Sequence, residues 1–431
     1  MHMGLDNVDI AASSLADANF GREAQALLNW LAAFGADHDG GVTRPVYSKA
    51  WRAAQTALCE KMKAYGMEPR FDRVGNLFGR VTGRLHPRRR VVTGSHIDTV
   101  ERGGRYDGAL GIVAGMLAVH YLTSRFGPPR LTMEVVSFCE EEGSRFPLGF
   151  WGSTYVARSQ TDDFSLTIPD VQDAAGTRLL DAMRQMGLPS HADDSDRDEI
   201  AAFVELHVEQ GMRLEEAQCP IGIVEQIVGQ RRYLVDVRGE SNHAGTTPMD
   251  RRRDPMHGAA SMIRCALELA RRRQDGIVAT VGRLQVAPNV SNVIPERIRF
   301  TLDVRHWDEA ILDAYCEEVL EAFRRIAAQH RLAVSHALWL DQRPVAMHRR
   351  IIQHIESACR AQQADYLFMP SWAGHDAQIM AQHVPTGLIF VPSRHGISHS
   401  PEEYTNPADL DVGVRVLAAT LYRLAYCEEE P

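Results

Sequence analysis

Two apolar segments of this sequence each run directly into a cluster of polar side chains, and this repeated pattern is the strongest constraint on the fold. Arg88–Gly94 leads into Ser95–Asp98, and Leu131–Cys139 leads into the three glutamates Glu140–Glu142. Between them, Gly108–Phe126 is a nearly all-apolar segment of helical length. The order strand, polar loop, helix, strand, polar loop is typical of a mostly parallel α/β sheet. Functional loops gather at the carboxyl ends of the strands in such sheets.

A second pattern of predicted elements, richer in strands, begins near Ile221. Its β-α-β-β-α-β order is that of a split βαβ unit, and 431 residues is a length that suits two domains. We therefore predict an α/β domain of residues 1–222 and 341–431, with a mixed, mostly parallel sheet flanked by helices. Residues 223–340 would form an inserted ferredoxin-like domain. Its predicted elements are the strand Tyr233–Gly239, the helix Asp254–Arg273, the strands Ile277–Val286 and Arg297–Arg305, the helix Asp308–Arg331 and the strand Leu332–Leu340.

The composition excludes several classes of protein. A net charge of −9 argues against a nucleic-acid partner or an anionic membrane surface. No lysine follows Lys63, so neither a P-loop lysine nor a Schiff-base lysine is expected in the body of the fold. The seven cysteines form no C-x-x-C pair, which predicts neither disulfides nor a cysteine zinc site. Met1–Asp6 lacks signal-peptide features, and no segment approaches the roughly eighteen uninterrupted apolar residues of a membrane span, so we expect a cytoplasmic protein.

His96 and Asp107 are candidate metal ligands, and each also has an ordinary structural explanation. In His96-Ile97-Asp98, the aspartate would hold the far ring nitrogen of a metal-binding histidine. Most such triplets, however, are surface or turn residues. Asp107 stands directly before Gly108 at the start of the apolar helix, where an N-cap is the simpler explanation.

The glutamate triplet and two further histidines complete a possible metal site. Three adjacent carboxylates at the end of a buried strand repel one another, and a nearby cation would relieve that cost. His207 lies in the alternating segment Glu205–Gly211, and His399 follows the apolar strand Thr386–Val391. Three histidines and at least two carboxylates at strand ends can form a two-metal site with one bridging carboxylate.

The sequence resembles the M20-type metallopeptidase family, which includes aminoacylases and dinuclear zinc aminopeptidases, and within it the hydantoinase/carbamoylase amidase branch. The resemblance implies a dinuclear zinc exopeptidase-like fold and assigns the inserted domain as a lid and dimerisation domain, hence a homodimer. The stretches that carry it run from residue 94 to residue 403: GSHIDTVERGGRYDGALG, CEEEGSRFPLGFWGS, ELHVEQG, RGESNHAGTTPMDRRRDP, PNVSNVIPERIRFTLDVR, AGHDAQ and GISHSPEE.

The resemblance implies two divalent metal ions per subunit. Zn²⁺ or Mn²⁺ is expected, and Co²⁺ or Ni²⁺ is compatible with the same donors. The implied ligands are His96 and His207 on one ion, Glu142 and His399 on the other, and Asp107 as the bridge.

The resemblance also implies the residues that act on the substrate. Glu141 would be the catalytic acid/base, leaving Glu140 as a solvated or supporting acid. His243, often reaching the partner subunit's cleft, would polarise the scissile carbonyl. Asn292 and Arg305 would hold the substrate's α-carboxylate, a task that suits the fork of an arginine.

Three more residues receive supporting roles. Gln210 would help to hold the amide or ureido group of the substrate. His375 would either contact the substrate or support a ligand from behind, and the second role is favoured. Asp98 would support His96 in the same way.

The predicted function is hydrolysis of N-carbamoyl-L-amino acids to the L-amino acid, carbon dioxide and ammonia. The alternative substrates are allantoate, ureidoglycolate and N-carbamoyl-β-alanine, small ureido carboxylates that the same machinery would accept. A thiol hydrolase using Cys139 is disfavoured because that chemistry needs a neighbouring lysine. A binding-only relative is disfavoured because the implied ligands and Glu141 are all present.

Overall fold

The chain forms two units, which are described separately. The computed structural model describes residue 15 and residues 18–161, 168–188 and 198–427. One unit comprises Met1–Glu225 with Ala346–Pro431, and the other comprises Gln226–Val345. The residues behind the signal-peptide prediction lie outside the described residues. All seven cysteines are free thiols, as the sequence predicts.

Strands and helices alternate along most of the described chain. The strands are β1 (Glu68–Phe71), β2 (Leu77–Val81), β3 (His86–His96), β4 (Leu131–Phe138), β5 (Glu199–Val208), β6 (Ile221–Ile227), β7 (Gly229–Arg238), β8 (Asn242–His243), β9 (Val278–Thr280), β10 (Leu284–Ala287), β11 (Val293–Ile294), β12 (Arg297–His306), β13 (Ala333–Gln342), β14 (Val345–Ala346), β15 (Tyr366–Ser371) and β16 (Thr386–Val391). The helices are α1 (Gly21–Ala32), α2 (Lys49–Ala64), α3 (Ala109–Phe126), α4 (Trp151–Arg158), α5 (Leu179–Met186), α6 (Arg213–Glu216), α7 (Pro255–Arg273), α8 (Glu309–Gln329), α9 (Arg349–Ala361), α10 (Asp376–Met380) and α11 (Pro407–Tyr426).

Four helices begin at a capping side chain. Ser48, Asp254, Asp308 and Asn406 precede α2, α7, α8 and α11, and each accepts a hydrogen bond from a main-chain N–H of the first turn. Such caps satisfy amide groups that have no partner within the helix. These starting points therefore follow from local sequence.

The first unit is built on a mixed nine-stranded sheet of order β1-β2-β4-β3-β5-β16-β6-β14, with β15 paired to β6. Its central strands β4, β3, β5 and β16 are parallel, whereas β2 and β6 flank them antiparallel. Strands β4 and β16 are buried along their whole length, which explains their continuous apolar sequence. The carboxyl ends of four parallel strands thus meet at one edge of the sheet. The predicted fold class is confirmed.

Helix α3 lies in the core of the first unit. By length and composition it is apolar enough to cross a membrane, and 67% of it is buried inside the fold. His120 and residues 123–125 interrupt its apolar sequence, so α3 does not contain an uninterrupted apolar run of about eighteen residues. A helix that is apolar on nearly all sides is either a membrane span or the centre of a large core, and burial here identifies the second.

The second unit is an antiparallel sheet of order β10-β12-β7-β13, with β9 also paired to β12. Helices α7 and α8 contribute to its hydrophobic core. The β-α-β-β-α-β order matches the prediction, but the strand expected at Ile277–Val286 is interrupted. Thr280 pairs with Asp303 while Leu284 pairs with Phe300, so one extra residue is inserted between β9 and β10. This is a β-bulge, and it divides the predicted strand in two.

Candidate metal centre and substrate-binding residues

The polar cluster of the first unit assembles at the carboxyl edge of the central strands. His96 is the last residue of β3, and His207 is the penultimate residue of β5. The glutamate triplet follows β4, and His399 follows β16. His96 is paired with Phe138 at the end of β4, so parallel registration brings the histidine and the glutamates together.

Asp107 lies between two histidines whose rings are held in one orientation. Its Oδ1 is 3.7 Å from His96 Nε2 and 3.2 Å from His207 Nε2. His96 Nδ1 lies 3.0 Å from the main-chain oxygen of Asp98, and His207 Nδ1 lies 2.9 Å from that of Val208. A carbonyl oxygen only accepts hydrogen bonds, so Nδ1 is the protonated nitrogen. When neutral, each ring therefore carries its lone pair on Nε2, facing Asp107, and this is the tautomer that binds a metal.

A sharp turn at Gly108 brings Asp107 into this position. The Ala109 N–H donates to the Asp107 carbonyl at 2.6 Å across Gly108, whose φ of 62° and ψ of −49° form a γ-turn. A Cβ at this position would lie 2.5 Å from both the ring and the main-chain oxygen of His96. The Gly108 N–H also donates to His207 Nε2 at 3.1 Å. Only glycine permits this approach.

The other oxygen of Asp107 faces a second group of donors. Its Oδ2 lies 3.1 Å from His399 Nε2, which in turn is 3.5 Å from Glu142 Oε1. That glutamate oxygen is buried and has no hydrogen-bond partner among the described residues. Two groups of potential ligand atoms, each spanning less than 4.8 Å, therefore share Asp107: His96 with His207, and Glu142 with His399.

The Asp98 carboxylate holds the glutamate loop rather than the His96 ring. Its Oδ1 accepts the Glu141 N–H at 3.2 Å and its Oδ2 accepts the Glu142 N–H at 3.1 Å. The distance from Asp98 Oδ1 to His96 Nδ1 is 4.0 Å. The predicted carboxylate–histidine hydrogen bond is therefore corrected to a carbonyl–histidine contact. Glu141 lies beside the cluster, with Oε2 3.9 Å from His96 Nε2.

The cluster contains several buried carboxyl groups, and burial makes their ionised forms unfavourable. Burial, followed by repulsion from Asp107, raises the pKa of Glu142 to about 8. Burial also raises the pKa of Glu141 well above its usual value, and Glu142 adds to that effect. Burial opposes ionisation of Asp107 too, yet hydrogen bonds with the three histidines hold its pKa well below the usual range. The hydrogen bond with Asp107 raises the pKa of His399 to about 9. Such an arrangement attracts cations.

Glu140 and Cys139 are buried structural residues. Glu140 Oε1 accepts the N–H groups of Phe146 at 2.7 Å and Arg145 at 3.2 Å, so the alternative of a solvated acid is wrong. The Cys139 thiol is 3.2 Å from the Val74 carbonyl, and burial raises its pKa well above the usual value. A group held as the protonated thiol is a poor nucleophile, which disfavours the thiol hydrolase.

Gln210 and His375 both lie against the cluster. Gln210 Nε2 is 3.3 Å from Asp107 Oδ1 and donates to Ser398 Oγ at 3.0 Å. The His375 ring packs edge-on against His207, with centroids 4.5 Å apart, and is buried. The structure thus brings both residues to the predicted site, while their roles stay predictions.

In the second unit, His243 and Asn292 are neighbours across the β8–β11 pair. His243 pairs with Val293, and the Ala244 N–H donates to the Asn292 carbonyl at 3.1 Å. The exposed His243 ring accepts the N–H groups of Gly245 and Thr246 at Nδ1, at 3.0 and 3.1 Å. Its hydrogen therefore lies on Nε2. This is the opposite tautomer from that of His96, and it makes His243 a hydrogen-bond donor.

Arg305 lies on β12 of the second unit and already contacts a carboxylate. Its Nε donates to Asp303 Oδ1 at 2.9 Å and its Nη2 to Oδ2 at 3.2 Å, while Arg232 Nε also donates to Asp303 at 2.7 Å. Asp303 therefore fixes the direction of the guanidinium group. The two-bond geometry is the one that arginine uses for carboxylates.

Comparison with known proteins identifies the family. The profile of peptidase family M20/M25/M40 matches residues 92–423. The chain belongs to this family. It is 44% identical over 414 residues to the allantoate amidohydrolase of Escherichia coli (strain K12), covering 95% of this chain and 99% of the relative. It is 37% identical over 401 residues to the N-carbamoyl-L-amino acid amidohydrolase of Geobacillus stearothermophilus, covering 92% and 97%.

A solved structure agrees with this assignment. The crystal structure of an amidase of the hydantoinase/carbamoylase family from Burkholderia multivorans superimposes with a TM-score of 0.86 at 33% identity, covering 95% of this chain and 98% of that one. The resemblance predicted from the sequence motifs is confirmed, and so is the predicted class of hydrolase.

One buried residue of this M20 family protein was missed by the sequence analysis. Glu403 accepts the main-chain N–H groups of Tyr106 and Asp107 at 2.7 and 2.9 Å, and it accepts the hydroxyl of Ser398 at 2.9 Å. Glu403 is the second glutamate of SPEE, and in the sequence it looks like a solvated surface acid. Its partners near Asp107 lie almost 300 residues away along the chain, so no local pattern could reveal it.

Proposed function

We propose that this chain is a metal-dependent amidohydrolase that cleaves the ureido C–N bond of a small carboxylate substrate. The observation that carries the proposal is the pair of His96 and His207 rings, whose Nδ1 atoms are occupied by carbonyls and whose Nε2 atoms converge on Asp107. Because Nδ1 is occupied in both rings, Nε2 is the atom of each ring that is left to bind a metal, and both Nε2 atoms face one buried carboxylate. These donors therefore fit a divalent ion.

The proposed centre holds two ions that share Asp107. His96 and His207 would complete the ligands of one ion, and Glu142 and His399 those of the other. The buried Glu142 Oε1, which has no partner among the described residues, fits a ligand role. Zn²⁺ and Mn²⁺ suit this mixture of nitrogen and oxygen donors, as do Co²⁺ and Ni²⁺. When bound, such ions polarise a carbonyl and acidify water.

Glu141 is proposed as the acid/base. Glu141 lies beside the cluster but outside the two groups of ligand atoms that share Asp107. Its raised pKa suits a group that accepts a proton and returns it. One Glu141 oxygen would take the proton from the attacking water. The same group would then deliver it to the leaving nitrogen as that C–N bond breaks. The carbamic acid formed in this step would lose carbon dioxide spontaneously and free the second nitrogen, so the overall products are the amine, ammonia and carbon dioxide.

Residues of the second unit are proposed to bind the substrate. The Nε2–H of His243 is a donor suited to an oxygen that gains negative charge in the reaction. Asn292 and Arg305 would hold the carboxylate, and Asp303, which accepts hydrogen bonds from Nε and Nη2 of Arg305, would orient the guanidinium group. The second unit would serve as lid and dimerisation domain, and Gln210 would contact the ureido group. The set of free thiols supports action in the cytoplasm.

Allantoate is the first substrate to test, and N-carbamoyl-L-amino acids are the second. From the sequence motifs alone, N-carbamoyl-L-amino acids rank first and allantoate second. The higher identity to the allantoate amidohydrolase, 44% against 37%, over nearly the whole chain supports the reversal. Both substrates carry a ureido group and a carboxylate, so the proposed residues serve either.

Ammonia release by purified protein tests the proposal. The protein is stripped with a chelator and reloaded with Zn²⁺, Mn²⁺ or Co²⁺, then offered allantoate, ureidoglycolate, N-carbamoyl-L- and D-amino acids, N-carbamoyl-β-alanine and an N-acetyl amino acid. Metal-dependent turnover of a ureido carboxylate, absent in Glu141→Gln, is expected. Full activity in the chelated protein, or turnover of the N-acetyl compound alone, would overturn it.

A further inference from the structure

The segments that carry Asp107, Gln210 and His399 are joined by a closed ring of hydrogen bonds. The Asp107 N–H donates to Glu403 Oε1 at 2.9 Å, and the Ser398 hydroxyl donates to Glu403 Oε2 at 2.9 Å. Gln210 Nε2 donates to Ser398 Oγ at 3.0 Å and lies 3.3 Å from Asp107 Oδ1, which closes the ring. This ring of hydrogen bonds begins and ends at Asp107, the residue that the two ligand groups share.

Each hydrogen bond in this ring has a fixed direction. Glu403 Oε1 accepts the N–H of Asp107, and in the ionised form of Glu403, which only accepts, Oε2 receives the hydroxyl hydrogen of Ser398. Ser398 Oγ then has lone pairs left to accept the amide hydrogen of Gln210. The amide of Gln210 is oriented in turn, with its nitrogen towards Ser398 and Asp107. A single carboxylate thus sets the orientation of three groups.

Glu403 is packed so closely that its surroundings leave no room for additional atoms. It is 3% exposed, and a Cβ added to Gly104 would lie 2.2 Å from its carboxyl group. It also accepts the Tyr106 N–H at 2.7 Å, so it grips two successive amides just before the turn at Gly108. Burying a carboxylate is costly unless it is well hydrogen-bonded, and this one receives three hydrogen bonds.

We propose that Glu403 is a positioning residue for the metal centre, which holds Asp107 and the His399 segment at the separation that the Glu142–His399 ion requires. Glu403 is not proposed to contact metal or substrate. The inference rests on the metal centre proposed above. Residues that support ligands in this way typically change metal affinity about 10–100-fold when they are altered.

Glu403→Gln tests whether the direction of the hydrogen bonds in this ring matters, because the substitution hardly changes the size of the side chain. The amide oxygen can still accept from residues 106 and 107, but its NH₂ group would face the Ser398 hydroxyl as a second donor. We expect Co²⁺ titration of the chelated variant to give two classes of site, one near wild-type affinity and one weakened about 10–100-fold. The visible spectrum should saturate in two steps. Glu402→Gln is the matched control, because it removes the same charge from the exposed neighbour.

Two further variants separate positioning from general stability. Ser398→Ala removes one link of the ring and keeps the Glu403 contacts with the main chain, so we expect a smaller loss at the same weakened site. If Glu403 were merely structural, Glu403→Gln would lower the melting temperature and leave both Co²⁺ affinities equal to wild type, which would overturn the inference. Failure of the wild-type protein to bind two ions would instead overturn the proposed metal centre.

Discussion

Replacing Gly108 with alanine should damage the metal centre from within the turn that presents Asp107. The new Cβ would lie 2.5 Å from His96, and ordinary contact begins at 3.4 Å, so the ring must retreat by about 0.9 Å. The ring cannot move freely, because its Nδ1 is held by the Asp98 carbonyl. A misplacement of about 1 Å at a reacting centre can cost about 100-fold in rate. We expect kcat/KM to fall at least about 100-fold and metal affinity at the His96 side to fall with it.

The stability cost of this substitution has two parts. A side chain at a φ of 62° with a ψ of −49° carries about 1–3 kcal/mol of strain, and loss of the His96–Asp98 contact adds about 1 kcal/mol. Gly127→Ala at the other end of α3 is the control. Its φ is also positive, at 72°, but nothing lies within 4 Å of the added Cβ. It should show the strain alone, with wild-type metal binding.

Denaturant unfolding and metal titration of both variants measure these effects. The reasoning is refuted if Gly108→Ala binds metal and turns over substrate like wild type. It is equally refuted if the two variants lose the same activity, because the contact with His96 would then be irrelevant.

Three further predictions concern individual groups. Glu141→Gln should lower kcat by about 10²–10⁴-fold while metal content, measured by mass spectrometry, stays at the wild-type value. In the metal-free protein Asp107 raises the pKa of His399 to about 9, so His399 is protonated at pH 7 and binding must displace that proton. Affinity should therefore rise as pH increases towards 9, and calorimetry in buffers of different ionisation enthalpy should detect proton release at pH 7 that vanishes above about pH 10. Arg305→Lys should raise KM by about 10-fold or more with a smaller change in kcat, since lysine cannot reproduce the two-bond fork; an unchanged KM would remove Arg305 from the carboxylate site.

The parts of the fold that the sequence predicts are those with local signals. An apolar run ending in a polar cluster marks β3 and β4, and capping side chains mark α7 and α8 within a residue or two. Short or interrupted strands carry no such signal. β1 and β2 were missed, and the bulge between β9 and β10 divides a segment whose apolar pattern is continuous.

The candidate site divides in the same way. His96 and His207 were candidates by residue type and by their position at strand ends, and Asp107 by its place before an apolar helix, while their assignment as ligands rests on the family resemblance. The roles of the residues beside them could not be predicted in this way, because those roles depend on contacts between distant segments. Asp98 turns its carboxylate to the amides of Glu141 and Glu142, and Glu403 reaches across almost 300 residues to Asp107. Backbone amides have no signature in a sequence, so residues that bind them look like ordinary surface acids.

The confinement of every lysine to helix α2 has a practical consequence. Lys49, Lys61 and Lys63 all lie on this one helix, and the Lys63 side chain is 54% exposed. Amine-reactive dyes, cross-linkers and activated resins would therefore attach along a single short segment, apart from the chain's own amino terminus. None of the residues proposed to bind metal or substrate offers a primary amine. Coupling through the lysines of α2 would immobilise the protein by this one helix and leave the chemistry of the cluster unmodified.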